Sequence, residues 1–163
     1  FSKLLGMQVI SDQAEAVVSL ITGIHIDPET GDVIALQCGF NQVISPIDIV
    51  KWERAVHIND QDALTPPEDI LRLQSLARKG DQILYKPVVT ERGEKVGRAY
   101  DFVIDTKAMT LWQIVVREKF LFFTTFETVI NRSHVVEILE DKIVVKELLA
   151  MEKGVVLEPE VAA

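Results

Sequence analysis

The fold can be worked out from Ile26-Asp27-Pro28-Glu29-Thr30-Gly31-Asp32-Val33. Pro28 presets φ at the first central position of a turn, and Gly31 supplies a left-handed residue at no steric cost. Runs rich in β-branched residues flank it at 17–26 and 33–38, so it reads as the tip of a β-hairpin. Ile104 and Asp105 stand 78 positions after Ile26 and Asp27, and Asp105-Thr106-Lys107-Ala108-Met109-Thr110 follows as a second tip. Met109 occupies the place of Gly31, and a left-handed Met costs on the order of 1 kcal/mol or more. The sequence therefore predicts a different turn there. Asp27 and Asp105 occupy matching strand ends. They could be a pair of acids, but Asp caps turns by bonding its own backbone two residues on, and that reading is preferred.

The repeat reaches further. Leu5, Val9, Ile10, Ser11, Asp12, Glu15 and Val17 precede Leu84, Val88, Val89, Thr90, Glu91, Glu94 and Val96 by 79 positions. Ile44, Ile49 and Val50 precede Ile130, Val135 and Val136 by 86. The growing shift places about eight extra residues between Val116 and Thr128 of the second half. One order of strand, turn and strand occurring twice points to duplication. Further strands are expected at 43–44, 47–52, 55–58, 83–89, 96–104, 111–116, 120–126, 128–130, 134–139 and 142–145. The break in the strand pattern is central. Thr65-Pro66-Pro67-Glu68 reads as a capping box, Ile70, Leu73, Leu76 and Ala77 make one apolar stripe, and Gly80 follows Arg78 and Lys79 as a stop. An all-β unit of about 60–80 residues is marginal alone, and closure into a barrel hides its edges. The expected fold is mainly β. Two tandem, about six-stranded barrels (1–62 and 81–147) are joined by a short helical linker (63–80) and fold as one body. A helical, acidic tail (148–163) follows.

Composition limits what such a fold does. Of 163 residues, 48% are hydrophobic and 26% charged, enough for a packed core. The net charge of −8, from 17 basic and 25 acidic residues, gives no counterion-release gain on nucleic acid and repels anionic lipid. One cysteine, Cys38, makes neither an internal disulfide nor a Cys-based zinc site, which fits a cytoplasmic setting. No apolar run approaches the ~18–20 residues of a membrane span. Phe1-Ser2-Lys3-Leu4-Leu5-Gly6 lacks an initiator Met and is not a signal peptide, so residues are expected to precede it.

Gly93-Glu94-Lys95-Val96-Gly97-Arg98, with Asp101, Val103 and Asp105 after it, resembles the opening of the PRC-barrel domain family. In the first half, the 26–33 hairpin, Ile44-Ser45-Pro46-Ile47-Asp48-Ile49-Val50 and Gly6-Met7-Gln8-Val9-Ile10 resemble its hairpin, later strand pair and first strand. The resemblance covers nearly all of 4–145 as two tandem copies. It implies a six-stranded β-barrel without catalytic residues of its own. Such barrels occur in the cytoplasmic part of the photosynthetic reaction-centre H subunit and in the C-terminal part of a ribosome maturation factor that acts on the small subunit. The 163 residues hold neither the H subunit's membrane helix nor that factor's N-terminal domain. Gly97 reads as a bulge or a close backbone approach. Its first-half counterpart is Val18.

Candidate chemistry is sparse. His25, His57 and His134 have no metal-ligand spacing, and Cys38 reads as a small buried hydrophobe. Gly93-Glu94-Lys95-Val96-Gly97 reads as a hairpin turn, because no helix follows to aim amides at a phosphate. Arg92, Lys95, Arg98, Lys107, Arg117 and Lys119 alternate with Glu91, Glu94, Asp101, Asp105 and Glu118, a solvated mixed-charge face that is not expected to bind nucleic acid directly. Lys119-Phe120-Leu121-Phe122-Phe123-Thr124-Thr125-Phe126 holds four of the seven Phe. It either fills the gap between barrels or forms an exposed aromatic hairpin for a partner or a second copy. Even spacing would turn Phe120, Phe122 and Phe126 one way, and Leu121 and Phe123 the other. The expected role is a non-enzymatic, cofactor-free adaptor with a protein partner. The alternatives from the resemblance are an RNA-processing or ribosome-assembly factor and a photosynthetic or electron-transport complex-associated protein. An enzyme would need a cleft between the barrels lined by charged residues such as Asp27 with Asp105.

Overall fold

Runs of Val, Ile and aromatic residues on half-buried surfaces form twelve strands among the described residues. The computed structural model describes residues 1–79, 83–120 and 124–147, with backbone only at 77–79, 119–120 and 124–125. In the first half the strands are β1 (Gln8–Ser11), β2 (Ala16–Ile26), β3 (Val33–Cys38), β4 (Gln42–Ile44), β5 (Ile49–Trp52) and β6 (Val56–Ile58). Helix α1 (Leu71–Lys79) follows. The second half has β7 (Pro87–Thr90), β8 (Lys95–Asp105), β9 (Thr110–Phe120), β10 (Thr124–Asn131), β11 (Val135–Ile138) and β12 (Ile143–Val145). The two six-stranded sheets have the orders β4-β3-β2-β1-β6-β5 and β10-β9-β8-β7-β12-β11. All pairs are antiparallel except β1 with β6 and β7 with β12, so the copies share one topology.

Their irregularities match as well. The β2–β3 ladder slips at Ile21/Gly23 and His25/Ile26, and the β8–β9 ladder slips 78 residues on, at Ala99/Asp101 and Val103/Ile104. The slip at Ile49/Lys51 between β5 and β6 recurs 86 on, at Val135/Glu137. Short 3₁₀ turns at Pro46–Asp48 and Arg132–His134 are also 86 apart. Bulges are built features of a barrel, bending strands so that a small sheet can curl. One pairing is corrected. Val9 stands opposite Ser19 while Val88 stands opposite Gly97, so the counterpart of Gly97 is Ser19, and Val18 corresponds to Val96. The missing residue lies in the preceding turn, where Ser11 pairs with Ala16 but the Thr90 amide bonds the Glu94 carbonyl.

The extra residues of the second half lengthen a hairpin. Cys38 pairs with Gln42, and their counterparts Val116 and Thr128 pair likewise. Beyond them β9 and β10 each run four residues further, with Phe120 opposite Thr124. The expected single strand over 120–126 is therefore wrong. Two strands meet there, and 121–123 lie outside the described residues. The expected strand at 83–89 is also cut back, to begin at Pro87. Tyr85, at φ 67, turns the chain so that its amide reaches the Ala99 carbonyl.

The central helix starts later than its sequence suggests. Thr65 does not cap it, because its backbone pairs with Val43 in both directions (2.8 and 3.0 Å). Pro67 forces Pro66 into extended backbone (ψ 146), so a 3₁₀ turn at Pro67–Asp69 precedes α1. Leu73 and Leu76 then bury against Ile34, Ala35 and Val43 on the outside of β3 and β4, with Ile70 beside them. Ala77, Arg78 and Lys79 have described backbone only, and Gly80 lies outside the described residues. Inside the barrels, one continuous apolar cluster joins both halves. Ile21, Leu36, Ile44 and Ile58 of the first meet Val88, Ile114, Ile130 and Ile143 of the second within it. Cys38 belongs to this core, and burial pushes its thiol up to about 12. Iodoacetamide at pH 8 is expected to label it at least about a hundredfold more slowly in the native protein than in urea, read by mass spectrometry.

Candidate interaction surface

Position by position, the hairpin tips of the two barrels meet about a local two-fold axis. The Val33 amide donates to the Met109 carbonyl (2.8 Å), and the Leu111 amide donates to the Gly31 carbonyl (2.7 Å). Val33 and Leu111 are equivalent, as are Gly31 and Met109, so each bond is the image of the other. Asp32 and Thr110, themselves equivalent, form the bridge between them. This is the self-complementary contact of an isologous dimer, made within one chain. It also corrects the expectation at Met109, which is left-handed (φ 53) like Gly31 (φ 84). Its carbonyl must face Val33, and its side chain packs against the core, which offsets the backbone strain. Arg132 adds an asymmetric clasp, donating to the Glu29 carbonyl of the other barrel (3.1 Å) and the Val135 carbonyl of its own (3.2 Å).

Asp27 and Asp105 do the same local job. Asp27 accepts from the amides of Glu29 (2.9 Å) and Thr30 (3.5 Å), and Asp105 from those of Lys107 (2.8 Å) and Ala108 (3.0 Å). Arg72 of α1 also donates to Asp27 (2.9 Å). Burial works to raise the Asp27 pKa, but the Glu29 amide, Arg72 and the Thr30 amide outweigh it and leave the pKa lowered. The Ala108 and Lys107 amides hold Asp105 low as well. A carboxylate lowered on folding stabilises the protein above its unfolded pKa, and that stability is lost as pH falls through the folded value. Asp27→Asn is therefore expected to cost up to about 1 kcal/mol at pH 7 and progressively less below pH 4, measured by urea unfolding at each pH.

Between the barrels lies a cleft of about 320 Å³, lined by Ile24, His25 and Gln37 on one side and Leu84, Tyr85 and Phe102 on the other. His25 bonds Gln37 (3.0 Å). Neither Asp27 nor Asp105 lines this cleft, so the two acids invoked for an enzyme are not brought together there. Phe1 stacks on Phe102 at its rim, with ring centroids 4.9 Å apart. His57 bonds Asp12 (2.7 Å), and His134 ends a 3₁₀ turn. Among the described residues no group of three or more His, Cys, Asp or Glu could hold a metal ion.

Gly93 (φ 84) lies in the turn between β7 and β8, and Gly97 (φ 153) lies within β8. Gly93 faces open space, whereas Gly97 lies against the backbone of Arg117. Pro28 lies in the Asp27-capped turn, as its sequence implies.

The lengthened β9–β10 hairpin carries Phe126, 52% exposed, opposite Glu118. Arg117 lies over the Tyr100 ring (3.3 Å to its centroid) and donates to Glu127 (3.2 Å), bracing the hairpin at its root. Arg117→Ala is expected to cost about 0.5–1 kcal/mol and to speed amide exchange in β10, read by hydrogen-exchange mass spectrometry. Phe122 and Phe123 lie outside the described residues, and Phe120 has described backbone only. A surface that sequence reading missed lies on the outside of β9 and β10, where Trp112 is 56% and Val129 40% exposed. Their positions correspond to Ile34 and Val43, which α1 buries.

Of the known protein families compared, the PRC-barrel domain matches residues 77–150, just under half of the chain. No curated protein matches it.

Proposed function

Because residues 77–150 match the PRC-barrel domain family, we propose that the chain is a non-enzymatic protein-interaction module that docks a partner on the lengthened hairpin of its second barrel. The observation that carries this reading is the difference between the copies. The first hairpin ends at the Cys38–Gln42 pair, whereas the second runs four residues further on each strand and presents Phe126. Exposed aromatics on a rigid support are the usual anchors of protein interfaces. The two matched aspartates support the non-enzymatic part of the reading, because each has its carboxylate taken up by its own turn. The acidic net charge supports a protein over a nucleic acid as partner.

Affinity capture with the purified chain from native lysate tests this. Wild type and Phe40→Asp, which alters the fully exposed tip of the shorter hairpin, should retain one reproducible partner, and Phe126→Asp should lose it. Equal retention by all three would end the proposal. Hydrodynamic mass at several concentrations reports whether that partner is a second copy.

A further inference from the structure

Because the two barrels repeat each other, what sits on one is a template for what fits the other. Leu73 and Leu76 of α1 pack on Ile34, Ala35 and Val43 outside β3 and β4, which leaves those three 6%, 0% and 0% exposed. Arg72, beside Leu73, reaches the hairpin tip. Asp27 gives its Oδ1 to the amides of Glu29 and Thr30, and Arg72 donates to its Oδ2 (2.9 Å). α1 thus holds its barrel by a leucine pair one turn apart and by a cation on the acid that caps the turn.

The second barrel repeats this seat. Trp112, Gln113 and Val129 are equivalent to Ile34, Ala35 and Val43, and Trp112 and Val129 are 56% and 40% exposed. Asp105 is equivalent to Asp27 and also gives its Oδ1 to two amides of its own turn, those of Lys107 and Ala108. Its Oδ2, the atom that Arg72 takes in the first copy, has no partner among the described residues. Gln113 donates to Asn131 (2.8 Å), so covering it leaves that donor satisfied.

We propose that the outer face of β9 and β10 binds an amphipathic helix of a partner protein, one that lays two leucines three residues apart on Trp112 and Val129 and reaches Asp105 with an arginine next to the first leucine. Removing a large aromatic and a β-branched residue from water drives the docking, and the arginine fixes the direction of the helix. The face is separate from the hairpin surface proposed above. Along β10 the two-residue period puts Val129 on one side of the strand and Phe126 on the other, with the buried Ile130.

A peptide of sequence 66–79 is the probe, titrated into the full chain. A covalent link between its positions 71 and 75, both exposed in α1, holds the short helix together. The Trp112 indole resonance, identified by its loss in Trp112→Phe, should shift saturably while that of Trp52 stays in place. Val129→Asp should weaken binding about tenfold, because a carboxylate then meets the leucines, and Phe126→Asp should leave it unchanged. An unchanged urea midpoint checks that both variants are folded. Asp105→Asn keeps an oxygen for the turn and should weaken binding about threefold. It should have no effect on a peptide carrying Arg72→Gln, a coupling that a merely structural Asp105 would not show. A peptide that leaves the Trp112 resonance unmoved, or that binds Val129→Asp as well as wild type, overturns the proposal. A peptide-free Trp112 resonance that moves with protein concentration, together with a dimer mass, overturns it as well, because a second copy then occupies the face.

Discussion

Gly97→Val is expected to be the most damaging single substitution in the chain. A Cβ at Gly97 would stand 2.6 Å from the carbonyl oxygen of Arg117, 2.9 Å from its carbonyl carbon and 2.8 Å from a methyl of Val116. Two of these three atoms are backbone of β9, so relief requires a central strand to move. Overpacking of this kind costs about 1–3 kcal/mol, and a β-branched residue forced to hold φ 153 adds about 1–3 more. Against a total stability of about 5–15 kcal/mol, that leaves little folded protein at moderate urea. Gly93→Ala is the control. Its φ is also positive (84), but nothing lies within 4 Å of the new methyl, so only the backbone preference of about 1 kcal/mol is lost. Unfolding free energies from urea titration of the two variants that fall within about 1 kcal/mol of each other would refute the close approach at Gly97.

Leu36→Ala and Ile114→Ala are expected to lower one shared unfolding transition by similar amounts, about 2–5 kcal/mol each. The two residues are equivalent, 0% and 1% exposed, and belong to the same apolar cluster although they line different barrels. Because that cluster is continuous and the tips exchange main-chain hydrogen bonds, neither barrel should outlive the other. Calorimetry checks this directly. A thermogram with two separable peaks, of which Ile114→Ala moves only one, would show that the barrels unfold independently.

What could be read from the sequence was whatever depends on local periodicity. The shifts of 78 and 86 between halves reappear as the positions of the register slips, because a bulge displaces the whole pattern of inward-facing residues and so leaves its mark in the sequence. The acid caps at Asp27 and Asp105 were also legible, since an Asx turn involves only neighbours along the chain. The misreadings have long-range causes. Met109 is left-handed because a carbonyl must meet Val33 in the other barrel, a demand that no local propensity reveals. Thr65 gives up its capping role to a backbone partner at Val43, and the strand expected over 120–126 has to double back because its register is set by pairing across the hairpin. The bare Trp112 face was invisible for a similar reason. In sequence, Trp112 looks like any aromatic in a strand, and only comparison with the buried Ile34 shows that its face is left exposed.

The paired amide–carbonyl exchange between tips has a consequence for recognition. Anything that approaches along the pseudo-axis meets the same main-chain pattern at the tips after half a rotation, and so has two related ways to seat there. A molecule that must bind in one orientation needs landmarks that break this likeness. The guanidinium of Arg132 reaching across to Glu29, which has no rotational counterpart at the proline standing in its place in the first barrel, is one of them, and it makes one barrel's side of that face distinguishable from the other's.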